Sequence, residues 1–198
     1  MYVFAHGAGA GMNHPFMQRA AEALEARGVA THRYEFPYMQ ARKSRPDPPA
    51  VAEAAVRNAV AEAARAYPGV PILAGGKSFG GRMTSQAQAA QPMPGVRGLV
   101  FFGFPLHAPG KPGMTRAEHL TSVDVPMLFL QGTRDEFAQL DLLKKVVEGL
   151  GPRAQLHLID DGDHSFKVPK RTGKTEADVM NELANTILDW TRQWRTSG

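Results

Sequence analysis

The chain has 198 residues and a net charge of +4, and this length predicts one domain that can bury a hydrophobic core. It contains no cysteine, which excludes disulfides, thiolate catalysis and cysteine-based zinc sites. No apolar run approaches the roughly 20 residues that span a bilayer, and the N-terminus lacks the pattern of a signal peptide. We therefore expect a single cytoplasmic domain, residues 1–198, that binds neither membranes nor nucleic acid.

Six short apolar segments are predicted to be β-strands. Several are apolar throughout, as is typical of strands that are covered on both faces. In chain order they are residues 2–5, 29–35, 70–75, 97–103, 126–131 and 154–159. Helical patterns fill most of the gaps, and strands that alternate with helices predict an α/β fold with a parallel sheet. We expect the strand order 2-1-3-4-5-6, with helices on both faces and no lid domain.

The helical segments carry start signals and apolar stripes. Pro15 is typical of a first helical turn, and Asp47 with Pro48 predicts an N-cap followed by a first turn. The sequence TRAE at 115–118 matches a capping box for a short helix. The last stripe is the strongest and predicts a core-facing helix: Val179, Leu183, Ile187, Trp190 and Trp194.

The sequence LAGGKSFGG, residues 73–81, contains both Gly-Lys-Ser and Gly-x-Ser-x-Gly. A P-loop needs a glycine five positions before the glycine of Gly-Lys-Ser, and Pro71 stands there instead. Gly-x-Ser-x-Gly directly follows a predicted strand and precedes a predicted helix, which favours a nucleophile elbow at Ser78. A tight strand-to-helix turn without catalysis is the alternative.

A nucleophilic serine requires a base, and the base requires an orienting carboxylate. Asp135 follows the fifth predicted strand and His164 follows the sixth, in the order Ser, Asp, His that α/β-hydrolases use. The carboxyl ends of parallel strands share one edge of the sheet, so the three side chains are predicted to meet there. Glu136 is an alternative to Asp135, and a metal site in the sequence DDGDH is an alternative to a histidine base.

The first strand is followed by the glycine-rich sequence HGAGAG, residues 6–11. Such a loop is expected to supply one backbone donor of an oxyanion hole, and the residue after the nucleophile supplies the other. The backbone N–H groups of Ala8 and Phe79 are therefore the predicted pair, and His6 is expected to hold the loop.

The sequences HGAGAGMNHPFM, GGKSFGGRM, GTRDEF and GDHSF together resemble the α/β-hydrolases. They are most similar to the small dienelactone-hydrolase-like branch that includes testis-expressed-protein and NSL-complex-subunit relatives. The resemblance implies a Ser78–Asp135–His164 triad, an oxyanion hole from Ala8 and Phe79, and no cofactor or metal. It implies a serine hydrolase that cleaves small carboxylic esters through an acyl-enzyme, as a monomer or homodimer. Because the branch includes scaffold-like members, a non-catalytic binding protein with this fold is the alternative.

Lys77 and His107 are the candidate substrate-binding residues, because one adjoins the nucleophile and the other follows the fourth strand. His119 also follows that strand and is a further candidate to line the pocket. His157 lies within a strand, so a structural role is expected for it. Segment 36–49 follows the second strand and is expected to border a small, open pocket for short acyl esters. The basic residues Lys77, Arg82, Arg42, Lys43 and Arg45 predict either a positive entrance that favours anionic substrates or ordinary solvated charges. Burial of Lys77 in a structural pair is a further alternative.

Overall fold

Six parallel strands form one sheet in the computed structural model, which describes residues 1–192. In chain order they are β1 (Tyr2–Ala5), β2 (Thr31–Tyr34), β3 (Ile72–Lys77), β4 (Val96–Phe102), β5 (Met127–Gly132) and β6 (Ala154–Ile159). Their order in the sheet is β2-β1-β3-β4-β5-β6, which confirms the predicted topology. β3 runs two residues further than predicted, so Ser78 directly follows its last residue.

Helices cover both faces of the sheet, as predicted. They are α1 (Pro15–Glu25), α2 (Pro37–Gln40), α3 (Pro49–Ala66), α4 (Phe79–Ala90), α5 (Leu140–Leu150) and α6 (Glu176–Arg192). Short 3₁₀ helices occupy Thr115–Ser122, Gly151–Arg153 and Lys170–Thr172. Helices α1 and α6 pack on one face of the sheet, and α3, α4 and α5 pack on the other. Within residues 1–192 no connection is long enough to form a lid domain.

Each central strand contributes to two hydrophobic layers, because successive side chains point to opposite faces. In β5, Met127 and Phe129 pack in the layer with α3, α4 and α5, and Leu128 and Leu130 pack in the layer with α1 and α6. Burial on both faces explains why these strands are apolar throughout.

Two helix starts differ from the sequence prediction. Helix α3 begins at Pro49, and the Asp47 carboxylate instead accepts a hydrogen bond from the Tyr38 N–H (2.9 Å). The 3₁₀ helix at Thr115–Ser122 has no side-chain cap bond, so the predicted capping box does not form. In α6 the predicted stripe is buried from Val179 to Trp190, and Trp194 lies outside the described residues.

Across residues 1–192 we find no helix with the length and hydrophobicity that a membrane crossing demands.

Candidate active site

Ser78 occupies a strained turn between β3 and α4. Its backbone has φ 49° and ψ −115°, a conformation that L-residues rarely adopt outside functional sites. The turn also requires glycines, because a Cβ on Gly80 would lie 2.5 Å from the His6 carbonyl oxygen and one on Gly76 would lie 2.8 Å from the Ala5 Cβ. This is the geometry of a nucleophile elbow, in which the serine side chain projects from the turn at the carboxyl edge of the sheet.

Ser78, His164 and Asp135 form a continuous hydrogen-bonded chain. The Nε2 atom of His164 lies 2.9 Å from the Ser78 Oγ, and its Nδ1 atom lies 2.7 Å from the Asp135 Oδ2. The Asp135 side chain is 1% exposed and the His164 side chain is 18% exposed, so the carboxylate is shielded while the imidazole borders solvent. The structure thus brings together the three residues that the sequence placed on three different strand ends.

Asp135 is held by two further donors. The Gln131 Nε2 donates to its Oδ2 (2.6 Å), and the Phe137 N–H donates to its Oδ1 (2.8 Å). Gln131 is fully buried and its Oε1 accepts from the Phe104 N–H (2.9 Å). Glu136, the alternative carboxylate, is exposed. Sequence reasoning missed Gln131, for which the available signal was a polar residue at the end of an otherwise apolar strand.

The carboxylates of DDGDH stabilise the loop that carries His164. The Asp163 Oδ1 accepts hydrogen bonds from the backbone N–H groups of Ser165 (2.8 Å) and Lys167 (2.9 Å). Asp161 forms an ion pair with Arg171 (2.8 Å). The described residues contain no group of three or more side chains placed to hold a metal ion. Turn capping therefore accounts for this sequence.

The loop after β1 lies directly against the nucleophile. A Cβ on Gly7 would lie 3.9 Å from the Ser78 Cβ, so the main chain passes beside the reactive side chain. His6 fastens this loop: its Nδ1–H donates to the Gly7 carbonyl (2.8 Å) and its Nε2 accepts from the Phe36 N–H (3.0 Å). Burial lowers the pKa of His6, which favours this neutral form. The Tyr38 hydroxyl donates to the Ala8 carbonyl (2.7 Å).

A family model described as an alpha/beta hydrolase domain matches residues 1–192. The chain belongs to the alpha/beta hydrolase family. Three solved structures share the fold of this hydrolase domain. A serine hydrolase homologue from Coxiella burnetii is 19% identical, with 96% of this chain and 84% of that chain covered and a TM-score of 0.73. A lidless serine hydrolase from Xanthomonas campestris is 23% identical (98% and 82% covered, TM-score 0.70). A monoacylglycerol lipase from Paleococcus ferrophilus is 14% identical (96% and 92% covered, TM-score 0.71).

These findings confirm the predicted superfamily and its lidless fold. The narrower assignment to the branch with testis-expressed-protein relatives stays a prediction. At such low identities the structural likeness concerns the fold alone, so the chemistry of this hydrolase domain has to be argued from its own residues.

A cavity of about 720 Å³ opens in front of Ser78 and His164. Its walls come from the loop after β1, from α1, from the loop after β6 and from α6. The apolar lining includes the large side chains of Phe16, Met17, Phe137, Phe166, Val179 and Met180 and the smaller ones of Ala8, Ala10 and Pro15. At this cavity Arg19 of α1 forms an ion pair with Glu176 of α6 (3.3 Å), which joins the two helical walls.

The expectation that segment 36–49 borders the pocket is wrong. None of its residues lines the cavity, because the hydroxyl of Tyr38 binds the Ala8 carbonyl and the segment lies behind the loop after β1. The cationic side chains that do line the cavity are Arg19, Lys77 and Lys167.

The two candidate substrate-binding residues have different surroundings. His107 does not line the cavity: its Nε2 accepts from the Gln139 N–H (2.8 Å) and its Nδ1–H donates to the Ala108 carbonyl (2.9 Å). Both of its ring nitrogens are thus engaged by the main chain. Lys77 does border the cavity, but its Nζ donates to the His164 carbonyl. The backbone N–H groups of Ala8 and Phe79, by contrast, lie on the two segments that meet at Ser78.

Proposed function

We propose that this alpha/beta hydrolase is a serine hydrolase that cleaves small carboxylic esters through an acyl-enzyme. The observation that carries the proposal is the hydrogen-bonded chain from Ser78 through His164 to Asp135, which opens onto the cavity. Serine hydrolysis of acyl compounds needs a nucleophile, a base and an orienting carboxylate in this arrangement.

The proposed reaction has two steps. The Ser78 Oγ attacks the ester carbonyl while the Nε2 of His164 takes its proton, and the same proton passes to the alcohol as the ester C–O bond breaks. Water then attacks the acyl-Ser78 ester, again with His164 as base, and the carboxylic acid leaves with Ser78 restored. The buried Asp135 carboxylate stabilises the imidazolium that forms in each step. The reaction requires no cofactor or metal.

The tetrahedral intermediates carry a negative oxygen that needs preorganised donors. We assign this role to the backbone N–H groups of Ala8 and Phe79. The assignment is supported by the close approach of Gly7 to Ser78 and by the position of Phe79 at the start of α4. Because His6 and Tyr38 both bind carbonyls of the loop, the loop is held in place before substrate arrives.

The cavity supports a substrate with a compact apolar arm. Its volume falls within the range of small-molecule sites, and its walls are mainly aromatic and aliphatic. An acyl or alcohol group of modest size would lie between α1 and α6, with the ester carbonyl at Ser78. Thioesters, amides and small lactones share the same reactive carbonyl and belong in the same substrate screen.

A fluorophosphonate probe tests the nucleophile directly, since it forms a covalent bond with activated serines. We expect the wild-type protein to be labelled and Ser78→Ala to be unlabelled while still folded. Ser165 is another serine at the cavity and serves as the comparison, because Ser165→Ala retains the hydrogen-bonded chain and should still be labelled. Equal labelling of wild type and Ser78→Ala would refute the proposed nucleophile. An absence of both labelling and turnover of any ester would favour a non-catalytic binding protein.

A further inference from the structure

Lys77 immediately precedes the nucleophile, yet its ammonium group turns toward the histidine loop. The Nζ atom donates a hydrogen bond to the main-chain carbonyl of His164. It also lies 5.6 Å from the ring centre of Phe16 and 5.5 Å from that of Phe166, within the range of cation–π contacts. The two rings stack on each other, with their centres 5.9 Å apart, and the ammonium lies beside both. Its hydrogen bond to the main chain ties it to the loop that carries the base.

Gly103, at the end of β4, leaves the space that this ammonium occupies. A Cβ on Gly103 would lie 2.9 Å from the Lys77 Nζ, 3.4 Å from the Asp135 Oδ2 and 3.4 Å from the His164 Cε1. All three atoms therefore surround one small volume. The ammonium lies behind the catalytic chain, next to the carboxylate and the imidazole.

We propose that Lys77 is a positioning residue of the active site, whose ammonium fastens the His164 main chain and thereby keeps the imidazole between Ser78 and Asp135. This inference rests on the proposed function. It differs from the substrate-binding role predicted from sequence, because the hydrogen bond of Lys77 goes to the enzyme itself.

The charge of Lys77 depends on pH in an accessible range. Burial lowers its pKa to about 8, while the nearby carboxylates of Asp135 and Asp163 oppose that change. His164 is a further titratable group beside it, on the same loop as Asp163 and the ring of Phe166. Helix α1 contributes the ring of Phe16, and the cations Arg19 and Lys167 line the same cavity. Because the ammonium form prevails below this pKa, its hold on the loop should weaken as pH rises through about 8.

The first test is Lys77→Met, which keeps the length of the side chain and removes its charge and hydrogen bond. We expect kcat on a neutral short ester to fall by about 10²-fold while KM changes little, because the base is misplaced and the binding walls remain. Wild-type kcat should decline above pH about 8, and the variant should lack that decline. Lys144→Met, on the exposed side of α5, controls for the loss of one positive charge.

The second test displaces the ammonium and keeps the lysine. Gly103→Ala places a Cβ 2.9 Å from the Nζ, and the flexible end of the lysine is the group that can yield. Gly110→Ala is the matched control, since Gly110 has φ +68° against +69° for Gly103 and nothing within 4 Å of its added Cβ. We expect Gly103→Ala to lower kcat as Lys77→Met does. Gly110→Ala should show only the effect of placing an alanine at a positive φ.

Three results would overturn the inference. A raised KM with unchanged kcat in Lys77→Met would make Lys77 a substrate-binding residue. A decline above pH about 8 that persists in Lys77→Met would assign that ionisation to another group. Equal kcat values for Gly103→Ala and Gly110→Ala would show that displacing the ammonium has no effect. Fluorophosphonate labelling separates these results from a failure of the proposed function, because Lys77→Met should still label fully at Ser78, only more slowly.

Discussion

Residues 1–192 contain two hydrogen-bonded serine–histidine pairs of nearly the same length and very different surroundings. Ser78 and His164 meet at 2.9 Å on two loops at the carboxyl edge of the sheet, in front of a cavity. Ser85 and His119 meet at 2.8 Å where α4 packs against the 3₁₀ helix, and Ser85 is fully buried. A short distance between serine and histidine therefore does not by itself define a nucleophile.

The two pairs differ in which residue donates the proton of the serine–histidine hydrogen bond. In each pair this is determined by a third group that binds one of the two side chains. In the first pair the Nδ1–H of His164 donates to Asp135, so its Nε2 is free to accept the proton of Ser78. In the second pair the Ser85 hydroxyl donates to the Arg82 carbonyl (2.9 Å), so the Nε2 of His119 must supply the proton between them. The first histidine is arranged as a base and the second as a donor.

The strongest test of this contrast is to remove each serine in turn. Ser78→Ala should reduce kcat on a short ester by about 10⁶-fold, as expected when a serine nucleophile is lost. Ser85→Ala should leave kcat unchanged and lower the free energy of unfolding by about 1–3 kcal/mol, because the His119 N–H loses its acceptor. Ester hydrolysis and chemical denaturation measure the two effects. A large loss of activity in folded Ser85→Ala would contradict the structural role of the second pair.

Removing the charge of the Asp135 carboxylate should make His164 a proton donor to Ser78, as His119 is to Ser85. Asp135→Asn should lower kcat by about 10⁴-fold, because the amide can donate to Nδ1 and so leave the proton on Nε2 of His164. Asp124→Asn is the matched control, since the Asp124 carboxylate accepts from Gln88 on α4, away from the cavity (3.2 Å). Similar kcat values for these two variants would show that Asp135 does not orient the base.

The backbone beneath the first pair is also distinctive, since Ser78 stands on a strained turn and Ser85 lies within a regular helix. Gly80→Ala should lower the free energy of unfolding by about 3 kcal/mol, because its Cβ would meet the main-chain oxygen of His6 at 2.5 Å. Gly149→Ala, in α5 with open space around its Cβ, should be neutral or stabilising by up to about 1 kcal/mol. Denaturant unfolding of both variants checks this, and equal stabilities would show that the elbow tolerates a larger residue.

The second pair, Ser85 and His119, should make the stability of the folded protein depend on pH in the acid range. Burial and the nearby Arg82 lower the pKa of His119 to about 4, so the unfolded chain binds a proton there more readily than the native state does. Because His119 is only partly buried, solvent screens part of this effect, so stability should fall by on the order of 2 kcal/mol as pH drops from about 7 to 4 and be retained above about 7.

Unfolding measured across this pH range provides the check. His119→Gln should remove this pH dependence of stability, because the amide does not titrate and can still donate to Ser85. His157→Gln, at the half-buried partner of Glu182, should retain it. An unchanged pH dependence in His119→Gln would assign the effect to other groups.

The smallest expected effect concerns the cavity, which only the first pair faces. Met180→Trp should raise KM about 10-fold for esters with longer acyl chains and leave acetate esters unaffected, because the larger ring fills the space beside α6. Asp189→Trp, on the exposed side of the same helix, is the control. A KM series over acyl chain length measures the effect, and equal KM values for both variants would place the acyl group elsewhere.

The fold and the meeting of Ser78, Asp135 and His164 could be predicted because their signals are local. Ser78 lies between closely spaced glycines after an apolar strand, and Asp135 and His164 each lie in the loop after a strand. Since parallel strands end at a common edge, their order along the chain was enough to bring the three residues together. The predicted ends of β1 and β6 agree with the structure, and those of the other four strands differ by one or two residues, as β3 shows.

The rest depends on contacts between elements that are distant in sequence. One wall of the cavity comes from α6, and no local pattern indicates that Val179 and Met180 line the cavity as well as the core. The pairing of Ser85 with His119 joins a helix to a separate 3₁₀ helix. The direction of the Lys77 side chain depends on the space left at Gly103, which only the assembled sheet reveals.

The ion pair between Arg19 and Glu176 joins a helix near the beginning of the chain to one near its end. On the ribosome, Ser78, Asp135 and His164 all emerge before α6, so the reacting groups are synthesised ahead of the wall that would hold an ester beside them. A nascent chain that lacks α6 would expose the apolar surface of α1, including Phe16 and Met17, to water. Synthesis of α6 thus both covers that surface and completes the cavity, so any selectivity that the cavity gives would arise later in synthesis than the three polar side chains themselves.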